Sequence, residues 1–211
     1  MLYGDVQTNF ATILNRRDLT ASQTTLFAGM AIQRIQRSLR IPAMENVLPI
    51  ITDGTGLVPI PGDLIEVISL NTNDSTNQEK LVKTTLENAV RKSQIPGVPT
   101  VYYRQGANWI IGNVPAAGTV LYVTYYQDAS ALVAPTDHNW LTDVAPDLLI
   151  YGMLAYAADF FLDERKQGFE STFSTSLGDL QEQAHMDELE NASVGLGFST
   201  EDDQYYSYSI Y

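Results

Sequence analysis

The stretch from Pro146 to Ser193 constrains this chain more than any other, because its apolar residues recur at helical spacing almost without a break. Leu149, Met153, Tyr156 and Phe160 step by four, three and four, which keeps them on one helix face. Pro146 suits the first helical turn, where a missing amide hydrogen costs nothing. Asp147 beside it sets a negative charge at the positive end of the helix dipole. Phe169, Phe173, Leu177 and Leu180 repeat the pattern, and Ala184 with Glu188 or Leu189 carries it on. The spacing predicts two helices, broken near Arg165–Gly168. A helix over Gln167–Asn191 would be roughly 37 Å long. An element of that length needs a second surface to pack on, from this chain or from a copy of it.

Ahead of this stretch the chain begins as helix and then changes character. Residues 3–15 place Val6, Phe10, Ile13 and Leu14 on one side of a short helix. Thr20-Ala-Ser-Gln23 reads as a capping box that opens a second helix to about Arg40, with Phe27, Met30, Ile35 and Leu39 apolar. Pro42 ends it. From Ala43 the signal is β-type. Val47–Ile51, Leu64–Leu70, Leu81–Thr84, Val101–Arg104, Asn108–Ile111 and Thr119–Tyr126 are short runs rich in β-branched and aromatic residues. Turn chemistry separates them, and Thr85–Lys92 forms one short helix between them. The last three runs read as a meander. The expected class is α+β: an antiparallel helical bundle with long C-terminal helices and an inserted small antiparallel β module. The divisions are 1–42 with 128–194 as the helical unit, 43–127 as the inserted unit and 195–211 as an extended C-terminal tail.

Charge divides the chain as well. The 211 residues carry a formal net charge of −13, and residues 141–211 hold fourteen acids against Arg165 and Lys166 alone. Residues 1–40 run the other way, with Arg16, Arg17, Arg34, Arg37 and Arg40 against Asp5 and Asp18. Arg34, Arg37 and Arg40 form a basic stripe on the second helix. They either pair with the acidic later helices or meet an acidic neighbour, which makes them candidates for a subunit interface. A surface so acidic does not grip nucleic acid, because that affinity comes from Lys and Arg. The tail is distinct again. Tyr205, Tyr206, Tyr208, Ile210 and Tyr211 crowd its end, and tyrosine adds contact area at low entropic cost. Both a disordered tail and a docking peptide fit that composition.

Reactive chemistry is sparse. There is no Cys, which excludes disulfides and thiolate catalysis, and the two His, His138 and His185, lack the partners a zinc site needs. No Ser sits in a nucleophile elbow, and Asp53-Gly-Thr-Gly56 lacks the Gly-Lys-Ser/Thr of a phosphate loop. His185 is expected on the solvent side of the long helix. Asp159 and Asp163, four apart, are expected to be surface carboxylates. No secretory signal is read at the start, and no apolar run reaches the roughly 20 residues that span a bilayer. The expectation is a protein with no catalytic residues, no cofactor and no metal, and with no membrane partner.

The order of these pieces resembles a known family. Ile60-Pro-Gly-Asp-Leu-Ile-Glu-Val67, then Pro99-Thr-Val-Tyr-Tyr-Arg-Gln-Gly106, Trp109-Ile-Ile111 and Asn113-Val-Pro-Ala-Ala-Gly118 follow one another as in the head-to-tail adaptor (connector) proteins of short-tailed phages. Val123-Thr-Tyr-Tyr126, Leu132 and the run from Trp140 to Leu154 look like that family's closing strand and long-helix start. The resemblance covers roughly 43–190, and the tyrosine-rich end matches no motif of the family.

The resemblance implies a ring, typically of twelve copies, beneath the portal protein at the capsid vertex. It implies a platform for the tail nozzle or other tail proteins, DNA passing without sequence-specific contact, and a place in the virion. The helices would form the ring wall, and the tail would dock on the portal through Tyr205, Tyr206, Tyr208, Ile210 and Tyr211. The alternative is a non-catalytic carbohydrate- or ligand-binding module using Tyr102, Tyr103, Trp109, Tyr122, Tyr125 and Tyr126, although strand alternation would send half of these to a core. A hydrolase using the helix carboxylates is a third reading.

Overall fold

A computed structural model describes residues 1–74 and 77–194 of the chain. The first helix, α1 (Tyr3–Leu14), buries Tyr3, Val6, Phe10 and Leu14 and ends at Asn15 in left-handed backbone. Helix α2 (Ala21–Ser38) opens on the capping box that its sequence announces. Gln23 N–H donates to the Thr20 hydroxyl at 3.3 Å, and Thr20 N–H donates to the Gln23 side chain at 2.8 Å. Ile13 and Met30, expected on the buried faces, are exposed instead.

Helix α5 (Pro146–Phe160) is the centre of the helical unit. Its apolar residues run all the way round, and Leu148, Leu149, Ile150, Met153, Leu154, Ala157 and Ala158 are all buried. A helix apolar on every side has to be surrounded. Here α1, α2 and α6 (Lys166–Val194) surround it. Close approach requires a small residue at one point: a Cβ on Gly152 would lie 3.1 Å from Ala31 Cβ and 3.1 Å from the Phe173 ring. Helix α6 has 29 residues and α5 has 15, so at 1.5 Å per residue the last helix is about 43 Å long against about 22 Å. It buries only a narrow stripe, with Phe173 and Ala184 fully covered and Phe169, Leu177 and Leu180 partly so. Beyond Ala184, Met186 and Leu189 are exposed.

The break between these two helices lies at Phe161–Arg165, slightly ahead of the expected place. Leu162 takes a left-handed conformation at φ 53°, and the Asp163 carboxylate accepts the Arg165 amide at 2.9 Å. Gly168 sits inside the first turn of α6. Phe160, expected on the buried face of α5, is exposed because the helix stops there, and its ring stands edge-on to Phe27 and Phe161.

Between the helices lie two four-stranded sheets. The strands are β1 (Glu45–Ile51), β2 (Leu57–Pro59), β3 (Leu64–Asp74), β4 (Asn77–Lys80), β5 (Val82–Lys83), β6 (Val101–Gln105), β7 (Asn108–Gly112) and β8 (Val120–Gln127). One sheet runs β1-β8-β3-β4 and the other β2-β7-β6-β5. They face each other over Val58, Leu70, Trp109, Ile111, Leu121, Val123 and Tyr125. The short helix α3 (Leu86–Lys92), capped by Thr85, packs on β6 and β7. The meander expectation needs correcting. β6 and β7 form a hairpin around Gly106, but β8 leaves them for the other sheet. The Asn113–Gly118 loop carries it across, with both ends in left-handed backbone. The β5–β6 pair is parallel, and the other pairs between named strands are antiparallel. Edge strand β1 carries Pro49, which donates no hydrogen bond and is tolerated at a sheet edge.

Residues 128–139 return the chain to the helices. Tyr3 N–H donates to Asp137 O and Gly4 N–H to Pro135 O, both at 2.9 Å. Asn139 then caps the short helix α4 (Trp140–Val144) by accepting from Leu141 and Thr142. The two parts meet where Ile65 and Tyr126 pack on the helical core and Arg40 pairs with Glu66 at 2.9 Å. The protein is α+β, with six α-helices among the described residues.

Candidate functional site

The basic stripe of α2 divides into three different environments. Arg34 forms a two-pronged pair with Glu170 of α6, and its guanidinium lies 4.4 Å from the Phe173 ring centre. This pairing raises the Arg34 pKa and lowers that of Glu170, each chiefly through the shared hydrogen bonds. Arg40 reaches across to Glu66 and donates to the Gln36 and Leu39 carbonyls, closing the end of its own helix. Arg37 is exposed and has no hydrogen-bond or ion-pair partner among the described residues. The same stripe therefore fastens α2 to α6, fastens it to the β unit, and leaves one cation facing outward.

A second arginine-centred cluster sits at the turn between α5 and α6. Arg165 holds the Asp163 carboxylate at 2.7 Å and donates to the carbonyls of Ile13 at 3.1 Å and Leu14 at 2.9 Å. Those carbonyls are at the C-terminal end of α1, where helical acceptors lack partners and positive charge is favoured. The Arg165 side-chain bond, followed by its amide, holds the Asp163 carboxyl down to about 2. One side chain thus ties the start of α6 to the end of α1. Sequence reading placed Arg165 at the expected helix break and counted it, with Lys166, as a charge opposing the acids; the carbonyls it satisfies lie too far away in the chain to leave a local signal.

The cleft between the helical and β units measures about 480 Å³ and is lined by Asp63, Asp128, His138, Asn139, Trp140 and Asp143, among others. Asp63 accepts from the Tyr125 hydroxyl at 3.1 Å, and Asp128 accepts from Gln36. His138 Nδ1 lies 2.9 Å from Asp143, whose carboxyl is lowered by that hydrogen bond first and by the amino terminus less. Asp63, Asp128, His138 and Asp143 each have a partner, the buried Trp140 indole N–H has none among the described residues, and no hydroxyl nucleophile is hydrogen-bonded to the imidazole among the described residues. Among the described residues, no group of three or more His, Asp or Glu side chains is placed to hold a metal ion.

The strand aromatics do not present a common face. Trp109 is 1% exposed and Tyr125 2% exposed, while Tyr102, Tyr103, Tyr122 and Tyr126 are half-buried. Burial raises the Tyr102 hydroxyl pKa and, with the Asp63 contact adding to it, that of Tyr125. His185 is exposed, as expected. Tyr205, Tyr206, Tyr208, Ile210 and Tyr211 lie outside the described residues. No helix among the described residues is long and apolar enough to cross a membrane.

The chain belongs to the SU10 adaptor protein family, whose model matches residues 1–195. That assignment agrees with the resemblance to phage head-to-tail adaptors read from the sequence. No curated protein matches the chain.

Proposed function

We propose that this chain is the structural head-to-tail adaptor of a tailed phage. Copies form a ring below the portal, twelve by analogy with the family. The ring joins capsid to tail proteins and lets DNA pass, and the chain performs no catalysis. Family membership over residues 1–195 carries the adaptor reading. The ring is supported by α6, which extends past the helices it packs on and shows Met186 and Leu189 to solvent. Its carboxylates Asp179, Glu182 and Asp187 are exposed, and Arg37 on α2 is exposed with no partner among the described residues. Opposite charges on two surfaces of one chain suit a head-to-tail contact between neighbours, which closes into a ring when the rotation closes. Arg34 and Arg40 support that contact by fixing α2, and Arg37 supplies the cation that a neighbour meets. An acidic channel would repel phosphate and leave the duplex free to slide.

The tail residues Tyr205, Tyr206, Tyr208, Ile210 and Tyr211 dock on the portal in this reading, ordering as they bind at an entropic cost. The experiment is sedimentation of the full chain with and without portal protein. A complex of ring stoichiometry is expected, and deleting residues 199–211 abolishes it while leaving the circular dichroism spectrum unchanged. A chain that stays monomeric and unbound in the presence of portal refutes the proposal.

A further inference from the structure

A β-sheet ends in backbone groups that lack partners, and stable proteins keep such edges short, charged or covered. Three of the four sheet edges here are of that kind. β2 has three residues and includes Pro59, β5 has two and carries Lys83, and β4 has four with Glu79 and Lys80 among them. The fourth edge is β1, which has seven residues and no charge after Glu45.

The direction of each backbone group on β1 follows from its register. Thr52 N–H donates to Thr119 O at 2.9 Å, and Thr52 O accepts from Gly118 N–H at 2.8 Å, so both groups of Thr52 face the chain that leads into β8. The register continues from there without a shift, from Ile51 opposite Val120 to Glu45 opposite Tyr126. Direction alternates along an antiparallel strand. Asn46, Leu48 and Ile50 therefore bond to β8, and Val47, Pro49 and Ile51 face the open edge. Pro49 stands at one of the positions where no sheet partner asks for an amide. The N–H groups of Val47 and Ile51 and the carbonyls of Val47, Pro49 and Ile51 have no partner among the described residues. Their side chains point away from the core between the sheets, because it is Asn46, Leu48 and Ile50 that lie opposite the buried Tyr125, Val123 and Leu121. Val47 is 56% exposed and Ile51 71% exposed. This edge thus offers main-chain hydrogen bonds together with apolar side chains, the two things that an added strand uses.

We propose that the chain's own last residues, Tyr205–Tyr211, add to β1 as an antiparallel fifth strand of the first sheet. The segment Tyr205-Tyr-Ser-Tyr-Ser-Ile-Tyr211 alternates Tyr206, Tyr208 and Ile210 with Ser207 and Ser209, and it contains no charged residue, Gly or Pro. That alternation is the pattern of a strand with one apolar face, and the segment matches β1 in length. Every pair within the first sheet is antiparallel. In the same sense Ile210 lies opposite Val47, Tyr208 opposite Pro49 and Tyr206 opposite Ile51, which covers the exposed apolar side chains of β1. The chain also leaves α6 on the side that this needs. Gln181 donates to Ser38 O at 2.8 Å, at the end of α2 and shortly before β1 begins, and α6 runs on to Val194. Residues 195–204 extend to at most about 33–36 Å, more than the length of β1, about 23 Å. The docking belongs to the chain before it meets a portal. It stands on the open edge and the alternation of the tail, and holds whether or not the ring reading does.

The test is site-resolved amide hydrogen exchange, read by NMR on the full chain. The Val47 and Ile51 amides are expected to exchange slower by on the order of tenfold in the parent than in Tyr206→Pro/Ile210→Pro, which removes two tail donors facing β1. Ser207→Pro/Ser209→Pro keeps the protection, because those amides point away from β1 and proline is tolerated on an outer edge. Both pairs lie beyond the described fold, whose other amides report that it is intact. Mixing ¹⁵N-labelled Tyr206→Pro/Ile210→Pro with unlabelled parent assigns the segment. Protection that returns puts it on a second copy, protection that does not return puts it on the same copy, and either supports the docking. Val47 and Ile51 amides that exchange alike in the parent and in Tyr206→Pro/Ile210→Pro overturn it, as does loss of protection with both proline pairs. Slow exchange in all three chains that grows with protein concentration gives the edge to β1 of a second copy and overturns it as well.

Discussion

Replacing Phe173 by Ala tests the packing on which the helical unit depends. The ring is 1% exposed, lies against the backbone of α5 at Gly152, and sits under the Arg34 guanidinium at 4.4 Å. Removing a buried phenylalanine ring costs about 3–5 kcal/mol from lost transfer energy plus the cavity left behind. The cation over the ring adds about 0.5–1 kcal/mol, since Arg34 is partly exposed. Against a total stability of about 5–15 kcal/mol, the variant should remain folded at 25 °C and melt lower by roughly 8–15 °C. Urea unfolding followed by circular dichroism reads the loss. A second substitution sharpens the reasoning. Gly152→Ala gains about 1 kcal/mol of helix propensity, but its methyl meets Ala31 Cβ and the Phe173 ring at 3.1 Å. Overpacking of this kind costs about 1–3 kcal/mol. With the ring removed, the added methyl enters the cavity and half of the crowding disappears. Gly152→Ala should therefore be neutral to destabilising alone and stabilising in the Phe173→Ala background, with a coupling of about 0.5–3 kcal/mol. A loss below about 1 kcal/mol for Phe173→Ala, or additivity of the two changes, would show that α6 does not pack on α5 as described.

Three further outcomes are expected. Thr20→Ala removes the acceptor that caps α2 and should cost about 0.5–2 kcal/mol in urea unfolding, whereas Thr25→Ala on the exposed side serves as the neutral control. Asp163 is depressed to about 2 in the folded chain, below its ordinary value of 3.8, so its contribution is complete above pH 4 and is lost as pH falls towards 2. Asp163→Asn should therefore lower stability at pH 5 and have a much smaller effect at pH 2, read from melting curves at both values. Arg37→Glu should leave the unfolding free energy within about 0.5 kcal/mol of the parent and weaken self-association with the portal present, read by sedimentation.

Local chemistry was legible in the sequence and distant pairing was not. The Thr20–Gln23 box, the first turn at Pro146 and the turn at Gly106 depend on neighbours within a few residues, and each is found where the pattern put it. The face of α6 that packs, through Phe173 and Ala184, followed from spacing alone. Spacing cannot tell where burial stops, which is why Phe160 and Met30 keep the period and still face solvent. Strand composition likewise carries no record of which sheet a strand joins. β8 alternates as expected, with Leu121, Val123 and Tyr125 inward, yet pairs with β1 and β3 and not with the hairpin before it. The division of labour among Arg34, Arg37 and Arg40 also depended on residues far away in the chain, Glu170 for one and Glu66 for another. Arg165 shows the same limit, because the carbonyls it satisfies lie at Ile13 and Leu14.

The grip of Arg165 on the end of α1 makes the last helix behave as a spoke clamped near its hub. A change of 5° at the clamp would sweep the far tip of so long a rod through about 4 Å. That is enough to move a side chain from one groove of an adjoining copy to the next. In the proposed ring, the angular pitch between copies would then be gauged by two main-chain oxygens and a guanidinium, far from where those copies would touch.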